Sequence, residues 1–333
     1  MQLKVHTTRA AFDELRQEWD SLLERSYANI IFLTWEWQST WWDSYEAGDL
    51  WLITCRSDSG ELLGIAPWFI EPHEGERVVR VVGCIDVTDY VDVIAEPGHA
   101  EEVLEALAGF LMENRSAYTR INFCNLQEAS PALAILPEKM RIVGFNVDVV
   151  LQEVCPVIQL PSTWEGYLEA LDKKQRHEIR RKIRRAEGES VSHYIVGPDA
   201  DLTLETQKFL HLMRASHPEK AVFLDDPKND RFFRAIIERM HERGWLKMSF
   251  LLVNGNPCAA YCNFDYGGHV LVYNSGMEPE ASAPLSAGIV LLSYDIRHAI
   301  ESGRSVFDFL RGNETYKYRM GGVDTRVFML KAS

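Results

Sequence analysis

Between Val306 and Gly322 the chain sets reactive side chains at close intervals. One carboxylate, Asp308, stands among Val306, Phe307, Phe309 and Leu310. Arg311 follows, then Glu314, Tyr316, Lys317, Tyr318 and Arg319 beyond Gly312. An acid in an otherwise apolar strand has two readings. Either it is tied to a neighbouring backbone group or to Arg311, or it serves a ligand, since α/β folds place ligands at the ends of core strands. If the chain stays extended past Gly312, Tyr316 and Tyr318 point to one side and Lys317 and Arg319 to the other.

Two further segments carry charge or free backbone. From Asp172 to Gly188 runs a basic stretch, with Leu168, Leu171, Gln175, Ile179, Ile183 and Ala186 as one apolar stripe of a helix. Arg176, Arg180 and Arg184, joined by His177, Arg181 and Arg185, then cover its flank at i, i+4 spacing. Such a flank is either a solvated face or a platform for a phosphorylated or polyanionic ligand. The stretch Tyr273–Gly288 reads as a strand end, a small-residue loop and a helix starting near Leu285 or Ser286. Free N–H groups at that start suit a pyrophosphate, although Pro284 is also ordinary helix-start chemistry. No Gly-Lys-Ser or Gly-Lys-Thr is present there, so this is no Walker loop.

The positioning elements repeat. Phe12, Leu15, Trp19, Leu22 and Leu23 mark a helix, and Thr34 caps a second one rich in tryptophan (Trp35, Trp37, Trp41, Trp42), which reads as core and, as the alternative, as an acceptor cleft. A hairpin follows at Trp51–Arg56 and Leu62–Ile70, with strands at Arg77–Val82 and Val91–Ile94, a helix over Glu101–Asn114 and a strand at Thr119–Phe123. The second half runs in the same order: a hairpin at Trp245–Val253 and Cys258–Phe264, a strand at Val270–Tyr273, a helix from about Ser286 to Ser302, and a strand at Val306–Leu310. Trp51 and Trp245 are 194 residues apart and Phe123 and Phe309 186 apart, an offset that suggests a duplicated α/β unit. The boundary falls near Gln152, before a strand at Val154–Leu160 and the Pro161-Ser162-Thr163 helix start, giving expected domains of 1–152 and 153–333.

Composition bounds the function. The 333 residues suit two domains, and 46% hydrophobic with 25% charged residues is a globular mixture. A net charge of −14 argues against a generic nucleic-acid binder while allowing a local basic patch. The longest apolar runs are core-sized and the N-terminus shows no signal peptide, so a cytoplasmic protein without membrane insertion is expected. Six scattered cysteines read as buried reduced thiols, and no His or Cys set suits a metal.

Taken together, these motifs resemble the GNAT-fold acyltransferases of the CelD/BcsL and BioF2-like type, relatives of the FemAB peptidyltransferases. The resemblance rests on the Lys-x-x-Arg-His-x-Ile-Arg-Arg run at Lys173–Arg181, the Ser282–Gly288 loop, and Phe307-Asp308-Phe309-Leu310-Arg311-Gly312-Asn313-Glu314-Thr315-Tyr316-Lys317. The last is close to a signature of the form fDFLRGdEpYK, from which Asn313 departs. Phe32–Trp42 and Gly64–Pro67 extend the likeness to the N-terminal half.

What the resemblance implies is an α/β (α+β) fold of tandem GNAT-like units with mixed, mostly antiparallel sheets flanked by helices. It implies transfer of an acetyl or other acyl group from acyl-CoA, without a metal, to an amine or hydroxyl. The acceptor would be a small molecule such as a sugar or envelope precursor, in polysaccharide biosynthesis. By analogy Ser282, Ala283, Leu285, Ser286, Ala287 and Gly288 receive the CoA pyrophosphate, small residues where GNAT motifs usually supply glycines. Lys317 matches a FemAB lysine thought to stabilise the oxyanion. Asp308 or Glu314 would act as base or orient the acceptor, and Tyr316 or Tyr318 would protonate the thiolate. Arg176, Arg180, Asn274 and Arg311 would bind substrate. No Ser/His/Asp or Cys/His set is apparent, so direct attack is expected. The alternatives are a FemAB-like transferase using aminoacyl-tRNA, in which the Arg-rich helix meets RNA phosphates, and a non-catalytic scaffold in polysaccharide synthesis. DNA is not an expected partner.

Overall fold

The computed structural model describes residues 1–333 except Ile85, Asp86, Gly188 and Glu189; Gly188, the end of the basic run, thus lies outside the described residues. The chain divides into two compact units, Met1–Val154 with Thr325–Ser333, and Cys155–Asp324, against the expected 1–152 and 153–333.

The first unit comprises β1 (Gln2–His6), α1 (Ala10–Arg25), α2 (Trp35–Tyr45), β2 (Asp49–Arg56), β3 (Leu62–His73), β4 (Glu76–Val81), β5 (Ile94–Ala95), α3 (Ala100–Glu113), β6 (Arg120–Gln127) and α4 (Pro131–Ile142). β7 (Val147–Gln159) starts here and continues into the second unit. The second holds α5 (Trp164–Ala170), α6 (Lys173–Glu187), β8 (Val191–Ile195), α7 (Leu202–Ser216), α8 (Pro218–Asp225), α9 (Pro227–Glu242), β9 (Leu246–Val253), β10 (Asn256–Tyr266), β11 (His269–Met277), α10 (Pro279–Ser282), α11 (Ala287–Glu301), β12 (Val306–Asp308) and α12 (Thr315–Arg319). β13 (Val323–Ala332) leads out of it.

Each unit is built on the same strand order. In the first, β1, β2, β3 and β4 pair antiparallel in sequence, and β4 pairs parallel with β6 across α3. In the second, β8, β9, β10 and β11 pair antiparallel, and β11 pairs parallel with β12 across α11. A parallel pair requires a crossover, and α3 and α11 supply it. The sixth strand is antiparallel in both. It is β13 for the first unit, pairing Val327–Ala332 with β6, and the end of β7 for the second, pairing Val157–Gln159 with β12.

Strand alternation sets which side chains meet which helices. In the first unit, Trp51, Ile53, Trp68 and Phe123 pack with Val103, Leu104, Leu107 and Leu111 of α3. Thr34 caps α2 by accepting from the Trp37 N–H, and Trp35, Trp37, Trp41 and Trp42 are all buried in the core. In the second unit Leu251, Ala259, Tyr261, Val272 and Phe307 join the buried faces of α5, α6 and α11.

Three expectations change in the structure. The basic helix does not continue from Leu168: α5 ends at Ala170, and the Asp172 carboxylate accepts from the Gln175 N–H (2.9 Å) at the start of α6, so Leu171 lies between two helices. Residues 315–319 are not extended but form one short helix. Cys84 and Cys124 are joined in a disulfide, with Cα atoms 6.0 Å apart, because β4 and β6 lie side by side; Cys55, Cys155, Cys258 and Cys262 are buried thiols.

Candidate active site

β11 and β12 pair over only three residues, His269–Leu271 with Val306–Asp308. Just beyond, β11 bulges at Tyr273, since Asn274 faces Cys262 while Val272 faces Asn263. A bulge bends a strand. β11 then runs on to Met277 with no further pairing to β12 among the described residues, and the chain after Asp308 turns away. The parting of these strands is the frame of the site.

The turn after β12 is built by its own charges. Leu310 has φ 57°, a conformation a branched side chain rarely takes, and the Asp308 carboxylate holds it by accepting from the Leu310 N–H at 2.8 Å. Gly312 has φ 113°, and a Cβ there would collide with the Glu314 carboxylate. Lys317 is 2% exposed. Its Nζ donates to the carbonyls of Arg311 (2.6 Å), Gly312 (3.2 Å) and Leu310 (3.3 Å) and lies 2.9 Å from Glu314 Oε2. An ammonium ion thus closes a ring of three successive carbonyls. Of the two readings of Asp308, the tie to a neighbouring backbone group is the one observed.

Around this loop stand the other side chains. Tyr316 packs edge-on against Phe309, and burial, reinforced by Glu314, raises its phenol above the ordinary value. Tyr261 of β10 is fully buried; burial, then Tyr316 and Asp295, push it up as well. Its hydroxyl lies 3.7 Å from where a Cβ of Gly288 would be, which ties it to the start of α11. Ser286 enters α11 at φ 54°, and the N–H groups of Leu285, Ala287 and Gly288 take no backbone acceptor among the described residues. With the positive end of the helix dipole, N–H groups of this kind could hold an anion. Ser282 closes the short α10 and Ala283 its turn.

Asn274 follows the bulge, and its Oδ1 accepts from Lys220 Nζ of α8 at 2.9 Å; the same Nζ donates to the Ser275 carbonyl at 2.6 Å. Burial lowers the Lys220 amine to about 8, against an opposing contribution from Glu314. Lys220 and Tyr261 are the residues that sequence reasoning missed. Neither sits in a motif, and their placement depends on contacts with β11 and α11.

Arg176 and Arg180 belong to a different place. With Trp164, Leu168, Lys173, Arg184 and Arg297 they line an open groove of ≈ 800 Å³ between α5, α6 and α11. Arg180 pairs with Glu165 at 2.7 Å, while Lys173, Arg176 and Arg184 form no ion pair among the described residues. From Ala287 to Arg297 is about 15 Å along α11, so the groove opens beside the far half of the helix. The structure therefore gathers Asp308, Arg311, Glu314, Tyr316 and Lys317 on one loop, with Arg311 half-buried, and leaves Arg176 and Arg180 apart.

Residues 173–318 match the model of a known family, the acetyltransferase (GNAT) domain. The parted strands, the loop and the start of α11 all lie inside that matched stretch. In fold, the chain is similar to the crystal structure of FemX (TM-score 0.68, 12% identity, 99% of this chain and 97% of that one). It is also similar to the C-terminal domain of a putative lysylphosphatidylglycerol synthetase from Agrobacterium fabrum (0.57, 11%, 97% and 92%). A tandem GNAT protein from the clavulanic acid biosynthesis pathway is similar too (0.51, 14%, 99% and 98%). No curated protein sequence matches significantly. The fold is thus mixed α/β and GNAT-like, in tandem. No helix among the described residues is long and apolar enough to cross a membrane, and no cluster of three or more His, Cys, Asp or Glu there is placed to hold a metal ion.

Proposed function

We propose that the protein is an acyltransferase of the CelD/BcsL, BioF2-like type, taking an acetyl or longer acyl group from acyl-CoA to an amine or hydroxyl on a sugar or envelope precursor. The observation that carries this reading is the parting of β11 from β12 inside the GNAT domain, with the free N–H groups of α11 at one end and the Asp308–Lys317 loop at the other. In this reading Ser282–Gly288 receive the pyrophosphate, and the two compact units serve as N-terminal and C-terminal GNAT-like domains. Tyr316 donates to the departing sulfur, Arg311 and Asn274 face the substrates, and Glu314 orients the acceptor. Asp308 and Lys317 are positioning residues: they hold the backbone of 310–312, and the charge of Lys317 reaches the site through the loop it closes. Arg176 and Arg180 bind an anionic part of an extended substrate.

Calorimetric titration with acetyl-CoA and longer acyl-CoAs tests the donor. Saturable binding of one of them, kept in Lys317→Ala and Arg180→Ala, supports the reading; a folded protein that binds none overturns it. The unpaired cations of the groove favour one other reading, aminoacyl transfer from tRNA, whose mark is tRNA affinity falling steeply with salt.

A further inference from the structure

α8 carries a lysine whose surroundings suit a task the loop residues do not perform. Lys220 Nζ has two acceptors, Asn274 Oδ1 and the Ser275 carbonyl, both on β11 three and four residues beyond its last pairing with β12. An uncharged amine has two N–H groups and one lone pair. Asn274 Oδ1 and the Ser275 carbonyl can take both N–H groups, which leaves the lone pair for an incoming proton. Glu314 is the charged group that acts on the amine. The carboxylates are poor bases by comparison. Glu314 is ion-paired to Lys317, and Asp308 is buried and bonded to the Leu310 N–H.

We propose that Lys220 is the catalytic base of this site, taking the proton from the acceptor nucleophile as it attacks the acyl donor. The proposal rests on the acyl-CoA reading above. The acceptor's N–H or O–H proton passes to Nζ, and the electron pair so freed forms the bond to the thioester carbonyl carbon. The tetrahedral intermediate collapses by breaking the C–S bond, whose electron pair leaves with sulfur. Tyr316 protonates the thiolate, and the Lys220 ammonium returns its proton to the phenolate so formed. The sum is acyl-S-CoA plus H-acceptor giving acyl-acceptor plus CoA-SH, with the amine regenerated. Burial supports this cycle, because an amine held at about 8 exchanges its proton near neutral pH.

Three measurements on the full chain test it. Acetic-anhydride labelling across pH, read by mass spectrometry on the Lys220 peptide, reports its titration with and without saturating acetyl-CoA. Calorimetry with acetyl-CoA reports donor binding independently. Release of free thiol from acetyl-CoA, with water as acceptor, gives a pH–rate profile for wild type and Lys220→Arg. The expected results are half-labelling near pH 8, protection by acetyl-CoA, and a rate that rises through the same pH. Lys220→Arg should bind acetyl-CoA unchanged and lose at least ~100-fold in thiol release together with that bend. Lys220 labelling like an exposed lysine, absent protection while acetyl-CoA binds, or an unaltered profile in Lys220→Arg each overturns the role and leaves the donor reading standing. No acetyl-CoA binding overturns the donor reading and this role with it.

Discussion

Leu310 occupies a left-handed backbone well that a leucine enters only when its neighbours impose it, and Asp308 and Lys317 are those neighbours. Asp308→Ala removes the acceptor for the Leu310 N–H and should lower stability by about 1–2 kcal/mol, whereas Asp308→Asn, which keeps an acceptor, should cost less. Thermal denaturation of both variants checks the order. Lys317→Ala strips one cation from three carbonyls and from Glu314, an expected loss of about 2–4 kcal/mol, and turnover should fall further than acyl-CoA affinity. A stable variant with unchanged turnover would remove Lys317 from the site. Asp295 on α11 makes a separate, pH-dependent prediction. It accepts from Ser249 Oγ (2.8 Å) and Asn263 Nδ2 (3.0 Å), yet burial raises its carboxyl from 3.8 to about 7. Because the folded state binds this proton more tightly than the unfolded chain, the contribution is full below about 3.8 and is lost as pH rises through about 7. Melting temperature measured from pH 4 to 8 should therefore decline less steeply in Asp295→Asn than in wild type.

Elements translate these local devices into a site. α7 crosses β11 so closely that a Cβ on Gly276 would collide with the backbone of Leu212 and Met213. Gly276→Ala should push α7 off the strand, lower the melting temperature by several degrees, and weaken acyl-CoA binding, because the same stretch of β11 borders the parted strands; scanning calorimetry and titration would show both. How much of this was legible beforehand depends on the kind of signal each element leaves. The hairpins β2–β3 and β9–β10 and the crossover helices α3 and α11 announce themselves by alternation and by 3.6-residue periodicity, since each buries one face. The break between α5 and α6 is hidden because Leu168, Leu171 and Ile179 keep helical spacing across it. Leu310 leaves no trace at all, its residue type pointing away from the conformation it adopts. Lys220 in Pro218-Glu219-Lys220 looks like a surface lysine. Its burial is created by β11, 54 residues further along the chain.

At the scale of the molecule, charge is distributed unevenly. In a chain of net charge −14, Lys173, Arg176 and Arg184 form no ion pair among the described residues and lie in one groove, so inorganic pyrophosphate should bind there more weakly in the Arg176→Ala/Arg180→Ala double variant, with little change in melting temperature; titration at low and high salt decides it. The strand order has a consequence of another kind. Strands β1, β2, β3, β4 and β6 of the first unit emerge from the ribosome early, but β13, the partner of β6, is translated only after nearly all of residues 155–324. Until then β6 presents an open edge, with Phe123 and Leu126 along it, whereas the strands of the second unit, down to β12, are all made before β13 begins. The part of the protein made first is thus the part finished last, and the nascent chain must keep that edge from other strands for as long as the intervening 170 residues take to synthesise.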